Sequence, residues 1–180
     1  MLLWPTQNRL GSSRAESAGF ADRRRADRAP GVGGTIDEPY AGAWIGGTHH
    51  FALRVYFEDT DVAGLVYYAN YLKFMERARS DMLRAVGVDQ RAAQEAGEGV
   101  YAVAEVNIRY LRTAQLGDDV LVVSTVEKVR AASVTIHQRV MRGPETLADA
   151  HVTAAFLDPQ NRPKRQPRAW VEKFNSISET

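Results

Sequence analysis

The chain has 180 residues, the length of one ordinary domain, and its 44% hydrophobic and 25% charged content is that of a typical globular protein. A net charge of +1 gives no electrostatic footprint for nucleic acid, so no nucleic-acid partner is expected. With no cysteine, disulfides, a thiol nucleophile and cysteine-ligated zinc are all excluded.

Residues 1–47 differ from the rest. Arg9, Arg14, Arg23, Arg24, Arg25 and Arg28 sit among Ser, Gly, Ala and Pro, and Gly31, Gly33, Gly34, Gly46 and Gly47 punctuate the segment. It has no sustained apolar period, so a disordered extension is expected, with the folded domain at 48–180. The competing reading is an Arg-rich arm for an anionic partner or a transit peptide. Glu16, Asp22 and Asp27 weigh against both. The apolar start, Met1–Pro5, is too short for the core of a signal peptide, and no run reaches the roughly 18 apolar residues of a membrane span. A cytoplasmic location without a membrane span is the expectation.

From Thr48 to Phe57 apolar residues alternate (Phe51, Leu53, Val55, Phe57), as in a half-buried strand. The strand runs into a tight acidic cluster, Glu58, Asp59 and Asp61, and then a small-residue turn, Ala63-Gly64. From about Val66 to Val86 the period changes. Tyr71, Phe74, Met75, Ala78, Met82 and Ala85 recur at three and four residues, one face of a helix, and Gly87 is placed to end it. Asp89–Ala96 reads as a short second helix.

Strands follow at Val100–Thr113, Val120–Arg130, Val134–Met141 and Thr146–Leu157, and the short turns between the last three spell an antiparallel meander. Trp170, Val171 and Phe174 lie at helical spacing in the closing tail. One long helix after a first strand and before four more is an α+β order. A curved antiparallel sheet of about five strands around one central helix buries the apolar face of both.

The stretch from Arg54 to Arg79 sets a strand, carboxylates, a glycine turn and a helix start within about twenty residues. A carboxylate beside the free N–H groups of a helix N-terminus suits attack on a carbonyl. Asp61 is the first candidate, as base or nucleophile; a plainer role would be to close the turn or cap the helix. Gly64 permits a close backbone approach. Asp59 reads as turn-shaping and Glu58 as solvated. Tyr67 and Tyr71 read as pocket wall or core. His49, His50, His137 and His151 show no ligand spacing, His49-His50 is expected to be exposed, and neither a metal nor a Ser-His-Asp triad is expected.

The segment Arg54–Arg79 resembles the signature of the 4-hydroxybenzoyl-CoA thioesterase family of hotdog-fold enzymes, and within it the acyl-CoA thioesterase branch associated with the bacterial Tol-Pal system. Further matches run in order. Val106–Asp118 resembles the long strand and the "PA-x-L-x-D" bend, with Thr113 where proline is usual. Arg130–Val134 resembles the "R-x-x-S" turn, and Leu157–Pro159 with Arg162–Pro167 resembles the C-terminal end. Together they cover residues 50–175.

The resemblance implies a hotdog fold and an acyl-CoA thioesterase needing no cofactor, with coenzyme A part of the substrate. It implies Asp61, the second Asp of D-x-D-x-x-G, as the catalytic carboxylate, and the Tyr68 backbone N–H as the group that polarises the thioester carbonyl. Histidine is common at the position of Tyr68 in the Tol-Pal branch, and tyrosine occurs there in the 4-hydroxybenzoyl-CoA branch. Gly64 and Tyr67 would line the substrate, and Arg130, Ser133 and Lys164 would meet the nucleotide of coenzyme A. A homodimer or homotetramer is implied, with an acyl carrier protein as a further possible partner. Two other readings are a non-hydrolytic acyl-CoA or acyl-carrier-protein binding module and a hotdog dehydratase; the latter relies on a histidine that the first motif lacks.

Overall fold

The computed structural model describes residues 40–178. Six strands and three helices follow in the order β1 (Ala43–Ile45), β2 (Thr48–Arg54), α1 (Tyr68–Ala85), α2 (Gln90–Glu95), β3 (Val100–Tyr110), β4 (Asp119–Val129), β5 (Ser133–Arg142), β6 (Glu145–Leu157) and α3 (Arg168–Ser178). The strands form one fully antiparallel sheet, ordered β1-β2-β4-β5-β6-β3. This is the α+β hotdog architecture expected, with a sixth strand.

The extra strand is β1, which pairs Ala43–Ile45 with Thr48–His50 across Gly46-Gly47, both glycines at positive φ. It lies inside the stretch 1–47 expected to be unstructured. Three residues are too few to show a period. Residues 1–39 of that stretch lie outside the described residues.

Helix α1 buries Tyr71, Phe74, Met75, Ala78 and Met82, as its spacing predicts, but leaves Ala85 exposed in the last turn. In the core beneath it Phe74 and Met75 cluster with Val120 and Val122 of β4, Val140 of β5 and Ala148, Ala150 and Val152 of β6. The helix starts two residues later than the pattern predicts. Val66 bridges Thr60 and the Tyr67 N–H donates to the Asp59 carbonyl, which holds both residues extended. Its end is a Schellman motif: the Gly87 N–H donates to the Arg84 carbonyl at 2.9 Å and the Val88 N–H to the Leu83 carbonyl at 2.9 Å, with Gly87 at φ 70°. Under the helix, Gln138 is satisfied on both ends, donating to Met75 O and Ser124 Oγ and accepting from Arg79.

His49, expected to be exposed, is fully buried. Its Nε2 lies 2.9 Å from Asp81 Oδ2 on α1, and the Gly42 N–H donates to the same carboxylate oxygen at 2.8 Å. The partner is 32 residues away in sequence, so no local pattern reveals it.

Candidate active site

After β2 the chain makes a single 3-10 turn at Phe57–Asp59. Asp59 is buried and shapes this turn, as its position suggests. Its Oδ2 accepts the Tyr56 N–H at 2.9 Å, and its carbonyl accepts the Asn70 side chain at 2.8 Å and the Tyr67 N–H at 3.0 Å.

Asp61 is exposed two residues on. Its Oδ1 accepts the Ala63 N–H at 2.8 Å and the Leu65 N–H at 3.3 Å, so one carboxylate oxygen is held by the turn it closes. Its Oδ2 makes no hydrogen bond among the described residues. Gly64 turns the chain at φ 73°, where a side chain would strain the backbone, and has open space around it.

The second sequence motif braces this turn from below. The Leu116 N–H donates to the Gly64 carbonyl at 3.2 Å, the Val66 N–H to the Ala114 carbonyl at 2.9 Å, and Leu65 bridges Gln115. Asp118 fastens the brace, accepting from the Gln115 N–H and from Arg142 at 2.6 Å. Those bonds, the backbone one first, hold its carboxyl below the usual carboxylate range.

Helix α1 begins directly after the turn. Its N-cap, Tyr67, has φ −61° and ψ 131° and contributes no side-chain cap. The Tyr68 N–H therefore stands at a helix N-terminus with no partner among the described residues. The Tyr67 and Tyr68 rings are exposed and 4.7 Å apart, and Tyr110 of β3 packs on Tyr68 at 6.1 Å and on Tyr71 at 5.7 Å. Burial raises Tyr71 and Tyr110 above the ordinary tyrosine value, so both keep their protons at neutral pH. A carboxylate oxygen, a free helix N–H and an aromatic wall thus share one end of the sheet. That set can activate water or attack a carbonyl, and can stabilise the oxyanion that forms.

Arg130, Ser133 and Lys164 gather at the opposite end. The Arg130 N–H donates to the Ser133 carbonyl at 2.8 Å, closing the β4–β5 turn. Gln166 donates to the Arg130 carbonyl at 2.6 Å and to the Ser133 carbonyl at 3.2 Å, and receives the Tyr101 hydroxyl. Lys164 Nζ donates to the Glu98 carbonyl at 2.7 Å. The Arg130 side chain is exposed. Strand β4, 11 residues long, lies between the two ends, a span of about 33 Å. Within one chain the two groups of residues do not meet. A cavity of about 120 Å³ beside β3, lined by Arg79, Tyr101, Val103, Ile136 and Phe174, does not include Asp61 either.

Residues 55–175 match the family model of the thioesterase-like superfamily. The chain belongs to this superfamily. Among relatives, this thioesterase-like chain is 39% identical over 108 residues to the acyl-CoA thioesterase YbgC of Haemophilus influenzae, covering 60% of this chain and 79% of that protein. Among solved structures it is similar to a probable thioesterase from Bartonella henselae, with 31% identity, a TM-score of 0.63, and coverage of 67% of this chain and 99% of that one. It is also similar to a Thermus thermophilus thioesterase complexed with coenzyme A and zinc, with 25% identity, a TM-score of 0.62, and coverage of 74% and 96%.

Two groups in this thioesterase-like chain escape a reading of the sequence alone. Tyr110 joins the aromatic wall from a strand 42 residues beyond Tyr68, with no local signal. The histidines show no ligand spacing along the chain, yet the sheet brings His137, Asp149 and His151 within 4.8 Å of one another through one potential ligand atom each.

Proposed function

We propose that the chain hydrolyses an acyl-CoA thioester to a carboxylic acid and free coenzyme A, with Asp61 as the catalytic carboxylate. The observation that carries this reading is the free Oδ2 of Asp61, on a turn that immediately precedes an uncapped helix start. The names of its relatives support the same substrate class.

In the reaction, the carbonyl carbon gains an oxygen and the C–S bond breaks. Asp61 either takes a proton from the attacking water or attacks the carbon itself, forming a mixed anhydride that water then opens. The carbonyl oxygen becomes an oxyanion, which the Tyr68 N–H and the helix dipole stabilise. The sulfur leaves as a thiolate and takes a proton. Gly64 lets the backbone approach the substrate, and Tyr67, Tyr68 and Tyr110 wall the acyl side.

The nucleotide end of coenzyme A falls to Arg130, Ser133 and Lys164 of a second copy. Strand β3 is an edge of the sheet, and it leaves Val103, Val106 and Tyr110 exposed. A bare 11-residue edge invites pairing. A two-fold axis through such a pair makes it antiparallel and sets the Val100 end of one copy beside the Tyr110 end of the other. The partner's Arg130 turn then comes to this copy's Asp61, and guanidinium suits phosphate. A homodimer is the minimum unit on this reading, and a tetramer is compatible with it. An acyl carrier protein is the alternative thiol carrier, and a cytoplasmic location fits the same chemistry.

The test is thiol release from short, long and aromatic acyl-CoAs by wild type and Asp61→Asn. The proposal expects release by wild type and loss of most of it in the folded variant. Binding of acyl-CoA by both without release would replace hydrolysis by a binding-module role.

A further inference from the structure

We propose that His137, Asp149 and His151 form a binding site for a divalent transition metal of the zinc type on the outer face of the sheet. This inference is independent of the proposed function, because none of the three takes part in the Asp61 turn.

The sheet itself builds the site. β5 and β6 pair antiparallel with His137 directly opposite His151, and Asp149 stands two residues before His151 on the same face. The neighbours Ile136 and Gln138 point inward beneath α1, so His137 faces out. His137 Nε2 lies 3.0 Å from Asp149 Oδ2. That separation is close to the edge of a tetrahedron with metal–ligand bonds of about 2.0–2.1 Å, which is roughly 3.3 Å. The two imidazole rings stack 4.7 Å apart and 10° from parallel, and because nitrogen lone pairs lie in the ring planes, one of these partly exposed rings turns about its side-chain bonds when both bind one ion.

A fourth residue supports them. His151 Nδ1 lies 2.9 Å from Glu127 Oε2 on β4. A carboxylate on one imidazole nitrogen fixes the tautomer and leaves the other nitrogen free to ligate, the usual outer partner of a metal-bound histidine. As plain ion pairs these half-exposed contacts would contribute little. Two stacked imidazoles also repel when both carry protons, whereas one shared divalent cation turns both into ligands.

The donor set selects the metal. Two neutral imidazoles and one carboxylate suit zinc and its neighbours, not calcium or magnesium, which take oxygen cages. Arg109 and Arg139 stand across from Asp149 in register, so the face holds no excess of negative charge to gather hard cations. The fourth position falls to water. The metal would tie β5 to β6 from outside, opposite the helix.

The experiment uses the full chain without an affinity tag, dialysed against zinc chloride, with bound zinc read by mass spectrometry and melting temperature read alongside. About one zinc ion per chain and a higher melting temperature are expected. His137→Gln and His151→Gln should each lose the bound zinc and the shift, while Glu127→Gln should weaken binding about 10- to 100-fold. All three positions face solvent, and melting in chelator checks that each variant is folded. Glu127→Gln, the change outside the ligand set, serves if a histidine variant fails that check. No zinc retained by wild type, or retention unchanged in these variants, overturns the proposal.

Discussion

The imidazole of His49 lies 2.9 Å from the carboxylate of Asp81 with both side chains buried, and its Nδ1 has no hydrogen-bond partner among the described residues. Burial is the largest influence on this histidine and holds its pKa below the ordinary 6.5; Asp81 opposes that and His50 adds to it. Arg84 also reaches Asp81, at 3.9 Å. The folded chain therefore binds this proton less readily than the unfolded chain. The stability is complete above pH 6.5 and is lost as pH falls below it, towards the lowered folded value. Melting temperature measured from above pH 6.5 down to about pH 5 should fall in wild type and fall less steeply in His49→Gln. Parallel profiles would contradict this.

Tyr71 holds the brace under the Asp61 turn. Its hydroxyl accepts the N–H of the fully buried Ala114 at 2.8 Å. Tyr71→Phe leaves that N–H unsatisfied, at a cost of about 1–3 kcal/mol. Chemical denaturation should report a loss in that range with an unchanged slope. A neutral result would mean that Ala114 finds another partner.

On the proposed mechanism Tyr68 acts through its backbone, and its place as the first helical residue makes a clean test available. Tyr67 already has the extended φ and ψ that precede proline, and the first helical position tolerates proline. Tyr68→Pro removes the N–H with the helix intact and should lower kcat by about 100- to 1,000-fold, the usual effect of losing one oxyanion donor. Tyr68→Phe should keep kcat within a few-fold, because it retains the N–H. Equal losses in both would move the role to the side chain.

Asp118 touches no substrate on this account but ties Gln115 and Arg142 under the Gly64 turn. Asp118→Asn should loosen the position of Asp61 and lower kcat more than it raises KM. An effect on KM alone would point to binding instead.

Much of this was legible in the sequence because it is local. The apolar spacing of Tyr71, Phe74, Met75, Ala78 and Met82 marks α1 and the face it buries, and Gly87 marks its end. The alternation in β2 and the valines of β4 mark strands. What escaped was tertiary or too short. β1 has three residues and no period. His49 finds Asp81 across the fold, and His137 finds His151 only once β5 and β6 are in register. The motifs around Asp61 and Arg130 are each readable, but their separation by the length of β4 becomes visible only when the sheet is assembled.

That separation gives the most direct test, which is thiol release by a mixed dimer. Asp61→Asn and Arg130→Glu are each purified alone and then co-expressed, and assayed at acyl-CoA well below KM. Each variant alone should be nearly inactive. If two chains build each site, half of the randomly assorted dimers carry one intact site of two, and the mixture should recover roughly a quarter of wild-type activity. Recovery no greater than the average of the two variants alone would contradict a site shared between chains.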